Sequence, residues 1–295
     1  MNDTNVPILV TGALGNIGRM VVTDLVNAGR SVRAADIDAA KVSETFGESV
    51  EAVRFDFTDP STWDSAFAGV RLMFLMRPPQ LSNIKRDMVP SLAAAKAAGV
   101  THIVLLSLQG AENNKVVPHA KIEAWLLQSG LNWTFVRPSF FMENLSTTHV
   151  TDIRDRDEIM VPAGNGKTAF VAAADVAAVA SVALLNPAAH VDRAWTPTGP
   201  AALTYEQVAA TLTDVIGRPI RYAKPGVAAY MRHASSVLGM PRAMVLVTLA
   251  IYSIARLGKA AGLTDDVAEV TGKPPMSFAD WAVANREVWL PDACQ

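Results

Sequence analysis

With 295 residues, half of them hydrophobic and 18% charged, the chain has enough apolar material for a sizeable core and too little net charge for disorder. The formal net charge of −2, with acids and bases interspersed, gives nucleic acid no electrostatic footing. The polar start Met1-Asn2-Asp3-Thr4-Asn5 lacks signal-peptide character, and the one cysteine, Cys294, can close no internal disulfide; both point to a cytoplasmic protein.

Pro7-Ile8-Leu9-Val10 is a short apolar run of strand type. Thr11-Gly12-Ala13-Leu14-Gly15-Asn16-Ile17-Gly18 follows, with glycines three apart, and residues 19–26 have helical spacing. A strand, a glycine turn and a helix N-terminus in that order form a pyrophosphate cradle. Glycines let the backbone approach the phosphates, while free N–H groups and the helix dipole favour the anion. Gly12, Leu14, Gly15, Asn16, Ile17 and Gly18 are therefore candidate cofactor contacts. Residues 31–35 read as a second strand closed by Asp36, about 20 residues beyond the glycines, where an acid takes the adenosine ribose hydroxyls and repels a 2′-phosphate. This spacing favours NAD(H). NADP(H) is the alternative if the side chain of Arg19 or Arg33 reaches the pocket.

Further strands are expected at 50–55, 71–76, 102–107 and 133–138, with helices at 61–67, 88–98 and 119–129 between them. From Ser139 the alternation loosens, with one more strand–helix unit at 169–180 and a last strand at 194–197; beyond Gly199-Pro200 the chain is mainly helical. The reading is an α/β protein: a Rossmann-type doubly wound parallel sheet over 1–200 and a small, mainly helical substrate lobe over 201–295, to which 139–170 contributes. In such a sheet ligands bind beyond the carboxyl ends of the strands. The segments Arg77-Pro78-Pro79, Leu108-Gln109-Gly110 and Phe140-Phe141-Met142 lie there, and their apolar and aromatic content predicts a pocket for a flat hydrophobic molecule. The apolar run 243–255, bracketed by Arg242 and Arg256, falls short of the ~20 residues that span a bilayer and reads as a buried helix or one lining an apolar pocket. No membrane partner is expected.

These residues together resemble the NmrA-like proteins of the atypical short-chain dehydrogenase/reductase group. The resemblance rests on the glycine turn at 11–18 and on Asp56-Phe57-Thr58-Asp59-Pro60. It also rests on the run from His119 through Glu123 to Gly130 and on Thr134-Phe135-Val136-Arg137-Pro138 through Asn144, with 199–205 and 272–280 in support. It implies a Rossmann domain binding NAD(P), a small C-terminal substrate lobe, and either reductase activity or redox sensing. By position it implies Gly12, Gly15 and Gly18 at the pyrophosphate, Asp56 and Phe57 at the adenine, Met76 and Arg77 on the nicotinamide side, and Ser107 near the superfamily's catalytic serine. Many members carry an arginine just after the second strand, associated with NADP; here Ile37 follows Asp36.

Standard members of the superfamily use a Tyr-x-x-x-Lys pair. The four tyrosines of this chain, Tyr205, Tyr222, Tyr230 and Tyr252, all lie outside the sheet region, and none has lysine four residues on. At the equivalent helix stand His119 and Glu123, one turn apart on one face. In one reading they are the catalytic pair: His119 donates a proton or hydrogen-bonds a substrate carbonyl, and Glu123 orients the imidazole or sits behind it. In the other, both are polar residues on a partly exposed helix face. His102, His149, His190 and His233 are scattered without metal-ligand spacing, so no metal is expected.

The expected function is NAD(P)H-dependent reduction of a small quinone-like, aromatic or conjugated carbonyl substrate, with Gln109, His119, Phe140, Phe141, Met142 and Asn144 as substrate contacts. The rival is a non-catalytic nicotinamide redox sensor acting through a protein partner. A homo-oligomer is compatible with either.

Overall fold

The computed structural model describes residues 6–290, so Cys294 and the polar start lie outside the described residues. The chain folds into two compact units. The first takes in the chain up to Pro138 together with Ala173–Pro197 and Asp266–Lys273; the second is Ser139–Ala172, Thr198–Asp265 and the chain from Pro274. Residues 266–273, counted with the 201–295 lobe in the sequence reading, thus group with the first unit.

The first unit is built on strands β1 (Ile8–Thr11), β2 (Val32–Asp36), β3 (Glu51–Arg54), β4 (Leu72–Met76), β5 (His102–Leu106) and β6 (Asn132–Val136), with a seventh at Arg193–Trp195. All pair in parallel, in the order Arg193–Trp195, β6, β5, β4, β1, β2, β3. The order reverses between β1 and β4, the switch point at which such a sheet binds ligands. Leu9, Val10, Met73, Phe74, Leu75 and Ile103 are fully buried, as expected for central strands covered on both faces. Helix Asn16–Asn27 packs against helix Ala173–Leu185, where Ser181 Oγ donates to Asp24 Oδ2 at 2.9 Å. Helices Val89–Ala97 and Pro118–Ser129 contribute Leu92, Ile122 and Leu126 to the core with Met73, Leu75 and Leu105. The doubly wound parallel sheet read from the sequence is the fold observed.

The second unit has its own core, with Ile153, Val161, Phe170, Tyr205, Leu212, Tyr230, Tyr252, Trp281 and Trp289 at its centre. It is helical around two small sheets: Lys167–Val171 between Phe140–Phe141 and Ala202–Thr204, and Arg221–Tyr222 beside Glu158–Ile159. The sequence reading had no strands at 140–141, 158–159, 202–204 or 221–222. They are two or three residues long, too short to leave a period in the sequence. Among the described residues no helix is long and apolar enough to cross a membrane.

Candidate active site

The glycine turn joins β1 to helix Asn16–Asn27. Gly12 has φ +64°, a left-handed conformation that only glycine adopts without cost. Gly18 allows the closest approach: a Cβ there would lie 2.1 Å from the Gly12 carbonyl oxygen. Gly15 is the helix N-cap and offers no side-chain cap, so the first N–H groups of the helix stay open to an anion. Ile17 is buried beneath the turn and Asn16 is exposed at its crest. These are the features a dinucleotide pyrophosphate requires, and the donor set fits one.

Thr11 fastens the turn to the neighbouring strand. Its hydroxyl donates to the Phe74 carbonyl and accepts from the Met76 N–H, both at 3.0 Å, stitching β1 to β4 across the switch point. The sequence reading left this role unassigned; a buried Thr at the last position of β1 is its signature. The Met76 methyl group lies against Gly12, where a Cβ would meet it at 2.1 Å, and against Gly15 at 2.9 Å.

Asp36 closes β2 and reaches back to the turn. Leu14 N–H donates to its Oδ2 at 3.1 Å and Ile37 N–H to its Oδ1 at 2.9 Å. A carboxylate has about four acceptor positions, so two remain for ribose hydroxyls. Neither arginine weighed as a phosphate partner is beside it. Arg33 is buried with Nη1 donating to the Ala66 and Ala68 carbonyls at 3.1 and 2.6 Å, and it pairs with Glu51 at 2.8 Å. Arg19 is exposed on the helix surface. Ile37 is 67% exposed. Asp56 holds its own loop, its Oδ1 accepting from Thr58 N–H (2.8 Å) and Thr58 hydroxyl (2.7 Å). Phe57 is a core side chain edge-on to Phe55 at 4.7 Å, which leaves only its backbone for a ligand.

At the ends of β4 and β5 the structure separates the paired residues of the sequence reading. Arg77 Nη1 donates to the Pro78, Pro79 and Leu81 carbonyls at 2.9, 3.1 and 2.9 Å and shapes that loop. His119, in the first turn of helix Pro118–Ser129, feels this guanidinium. Burial first, and then the charge of Arg77, lower its pKa from 6.5 to about 4. The imidazole is therefore neutral near pH 7, and its buried Nδ1 has no partner among the described residues. Glu123 does not orient it. The Glu123 carboxylate is buried and turned to the sheet, with Oε1 accepting from Ser107 Oγ (2.5 Å) and Arg137 Nε (3.0 Å), and Oε2 from Arg137 Nη2 (2.7 Å). Arg137 also reaches Glu112 at 3.4 Å. Ser107 is thus held by a carboxylate and, with its N–H on the Val136 carbonyl at 2.7 Å, ties β5 to β6. The Ser107–Glu123–Arg137 network was visible in the sequence only as three separate residues.

Gln109 N–H donates to the Pro138 carbonyl at 3.0 Å and leaves its side chain partly exposed. The remaining predicted substrate contacts belong to the second unit. Phe140 and Phe141 are half-buried and form a strand on Phe170 and Val171. Met142 is core, 1% exposed. Asn144 is exposed, its carbonyl accepting from His149 N–H at 3.0 Å. Among the described residues no group of His, Cys, Asp and Glu is placed to hold a metal ion.

A doubly wound parallel sheet with a glycine turn after β1 and an acid closing β2 defines a dinucleotide-binding Rossmann domain. The model of the NmrA-like family matches residues 4–261, and the chain belongs to that family. It is 36% identical over 287 residues to an NAD(P)H azoreductase from Xenophilus azovorans, covering 94% of this chain and 97% of that protein. It is 34% identical to a (4-alkanoyl-5-oxo-2,5-dihydrofuran-3-yl)methyl phosphate reductase from Streptomyces griseus, covering 97% of this chain and all of that one. Among solved structures it resembles an NADPH-dependent quinone oxidoreductase from Escherichia coli complexed with NADPH, with a TM-score of 0.83, 26% identity and coverage of 94% and 98% of the two chains.

Proposed function

We propose that the chain is an NAD(P)H-dependent reductase of a quinone-like or conjugated aromatic acceptor, with NADH preferred to NADPH. The observation that carries this reading is the buried His119 Nδ1, which has no partner among the described residues, on an imidazole whose pKa is lowered by burial and by Arg77, in a unit whose sequence contains no tyrosine. A neutral imidazole donates a hydrogen bond but is a poor general acid, so it suits an acceptor that needs orientation more than protonation. A quinone is such an acceptor, because it gains aromaticity on accepting hydride and takes its proton from water. The relatives that act on azo and quinone compounds support the same substrate class.

The bound nicotinamide would supply the hydride. The chain's own residues divide the rest. The turn from Gly12 to Gly18 receives the pyrophosphate on open N–H groups, and Leu14 is held in place by Asp36. Asp36 takes the ribose hydroxyls with its remaining lone pairs and repels a 2′-phosphate, while Arg54, its register neighbour on β3, is paired with Asp59 at 2.9 Å. Asp56 and the Phe57 backbone serve the adenine, and Met76 and Arg77 the nicotinamide side. His119 hydrogen-bonds the substrate oxygen, and Gln109 assists. Ser107 and Glu123 are positioning residues that fix the ends of β5 and β6 through Arg137.

The test is to follow absorbance at the reduced-nicotinamide band as NADH or NADPH meets a panel of quinones and aromatic ketones. Turnover above the uncatalysed rate, faster with NADH, is expected. Binding of both nucleotides without turnover on any member of the panel would overturn the reading and favour a nicotinamide sensor.

A further inference from the structure

We propose that the second unit carries a binding site for an organic anion with an apolar body, its carboxylate-like head held by Arg232 and Arg242. Helices Val227–Ser236 and Arg242–Arg256 pack together and flank an open groove of about 420 Å³ lined by Met231, Arg232, Ser235, Ser236, Arg242, Val245 and Leu246, of which only Val245 is buried. That volume is in the range, about 300–1,000 Å³, that accommodates small molecules. The lining combines three apolar side chains with two guanidiniums and the Ser235 hydroxyl as donors suited to an anion; the Ser236 hydroxyl donates to the Arg232 carbonyl at 2.7 Å.

Charge bookkeeping along the chain sharpens this. Between Asp214 and Asp265 there is no Asp or Glu at all. Three of the bases in that stretch are matched by acids or polar groups from elsewhere in the unit: Arg218 by Asp157 (2.5 Å), Arg221 by Glu158 (2.8 Å), and Lys224 by Asn165 and by Glu206 at 3.4 Å. Among the described residues no carboxylate pairs with Arg232 or Arg242. Arg256 and Lys259 likewise have no ion pair among the described residues, and of the unpaired bases in this stretch Arg232 and Arg242 are the two that line the groove.

The two helices are also held firmly from within. His233 Nε2 meets buried Asp152 Oδ2 at 2.9 Å, and His149 Nε2 meets the Tyr252 hydroxyl at 2.5 Å, one polar anchor on the inner side of each helix. Outward, the apolar rim stays open to solvent, with Leu246 58% and Val247 54% exposed. A second copy of this chain is a poor occupant, since this stretch would bring arginines to a partner surface equally free of acids. A single anion with an apolar tail satisfies both the charge and the exposed apolar wall.

The probes are dodecanoate, dodecanol and dodecylammonium, titrated calorimetrically below their aggregation concentrations into the full chain. The variants are Arg232→Gln with Arg242→Gln, and Leu246→Glu, each checked for an unchanged unfolding temperature. One dodecanoate per chain should bind at least about tenfold more tightly than dodecanol, and dodecylammonium should not bind. Both variants should lose about tenfold in dodecanoate affinity. Equal binding of dodecanol, or full affinity in the double arginine variant, would overturn the proposal. So would a wild-type dimer in solution that Leu246→Glu dissociates, which would make the groove an interface between copies.

Discussion

In the unit built on the seven-stranded sheet, the carboxylates that frame the candidate site are matched, and the groups left open there are nitrogens, His119 Nδ1 and Arg77 Nε among them. Glu123 accepts from Ser107 and Arg137, Arg33 is spent on two carbonyls and Glu51, and Asp36 accepts two backbone N–H groups. In the second unit the matching is incomplete. Asp152 is fully buried with Oδ1 unpartnered, His149 Nδ1 likewise, and Arg232 and Arg242 face a groove without a carboxylate. Matched polar groups give a rigid frame for a ligand shared by many proteins. Unmatched donors over an apolar wall retain binding capacity that a particular ligand can use.

The contrast can be broken most sharply at Glu123. Glu123→Gln leaves the largely buried Arg137 with one neutral amide acceptor, an NH2 facing its other N–H, and its longer ion pair to Glu112, and should cost about 3 kcal/mol in urea unfolding. Turnover should stay within about threefold, since Glu123 does not touch His119. A large loss of turnover at unchanged stability would restore the catalytic-pair reading. Next comes Gly18→Ala, whose Cβ would sit 2.1 Å from the Gly12 carbonyl oxygen. The turn must shift, and NADH affinity should fall about thirtyfold or more in a fluorescence titration.

In the second unit the sharper probe is pH. Burial first, and then nearby His233, lower the pKa of His149 to about 4, against 6.5 for a free imidazole side chain. The unfolded chain therefore binds the extra proton first. Stability is unaffected by this group above about pH 6.5 and declines as the pH falls towards 4, by about 2 kcal/mol per such histidine at pH 5. Urea midpoints at pH 7 and pH 5 should show a smaller drop in His149→Gln, which retains a partner for Tyr252, than in the wild type. The smallest expected effect is at Asp36. An amide there cannot accept from both Leu14 and Ile37, so Asp36→Asn should weaken NADH about tenfold and NADPH less, narrowing the ratio of kcat/KM between them.

The sheet was legible because its strands are apolar runs separated by glycine-capped helices, and the cradle because glycine positions and the spacing to Asp36 are dictated by backbone geometry alone. His119 and Glu123 misled for a physical reason. Spacing of one turn says that two side chains share a helix face, yet the Glu123 carboxylate turns into the sheet while His119 sits in the first turn of the helix. Apolar content failed in two opposite directions. Met142, read as a pocket wall, is core, whereas the run around Leu246, Val247 and Ile251, read as buried or pocket-lining, is partly open to solvent and partly the groove wall. Hydrophobicity records that a side chain avoids water, not which partner removes it from water. Arg137 and Thr11 carry contacts between distant strands, which no local pattern reports.

The most direct test of the central claim is the pH dependence of kcat/KM for NADH oxidation by a quinone between pH 5 and 8. A neutral His119 acting as a hydrogen-bond donor predicts a profile with no inflection near pH 6.5, and a fall of about tenfold across that whole range in His119→Phe. A rate that declines with a midpoint near 6.5 as the pH rises, and is lost in the same variant, would show imidazolium as the acid and contradict the account.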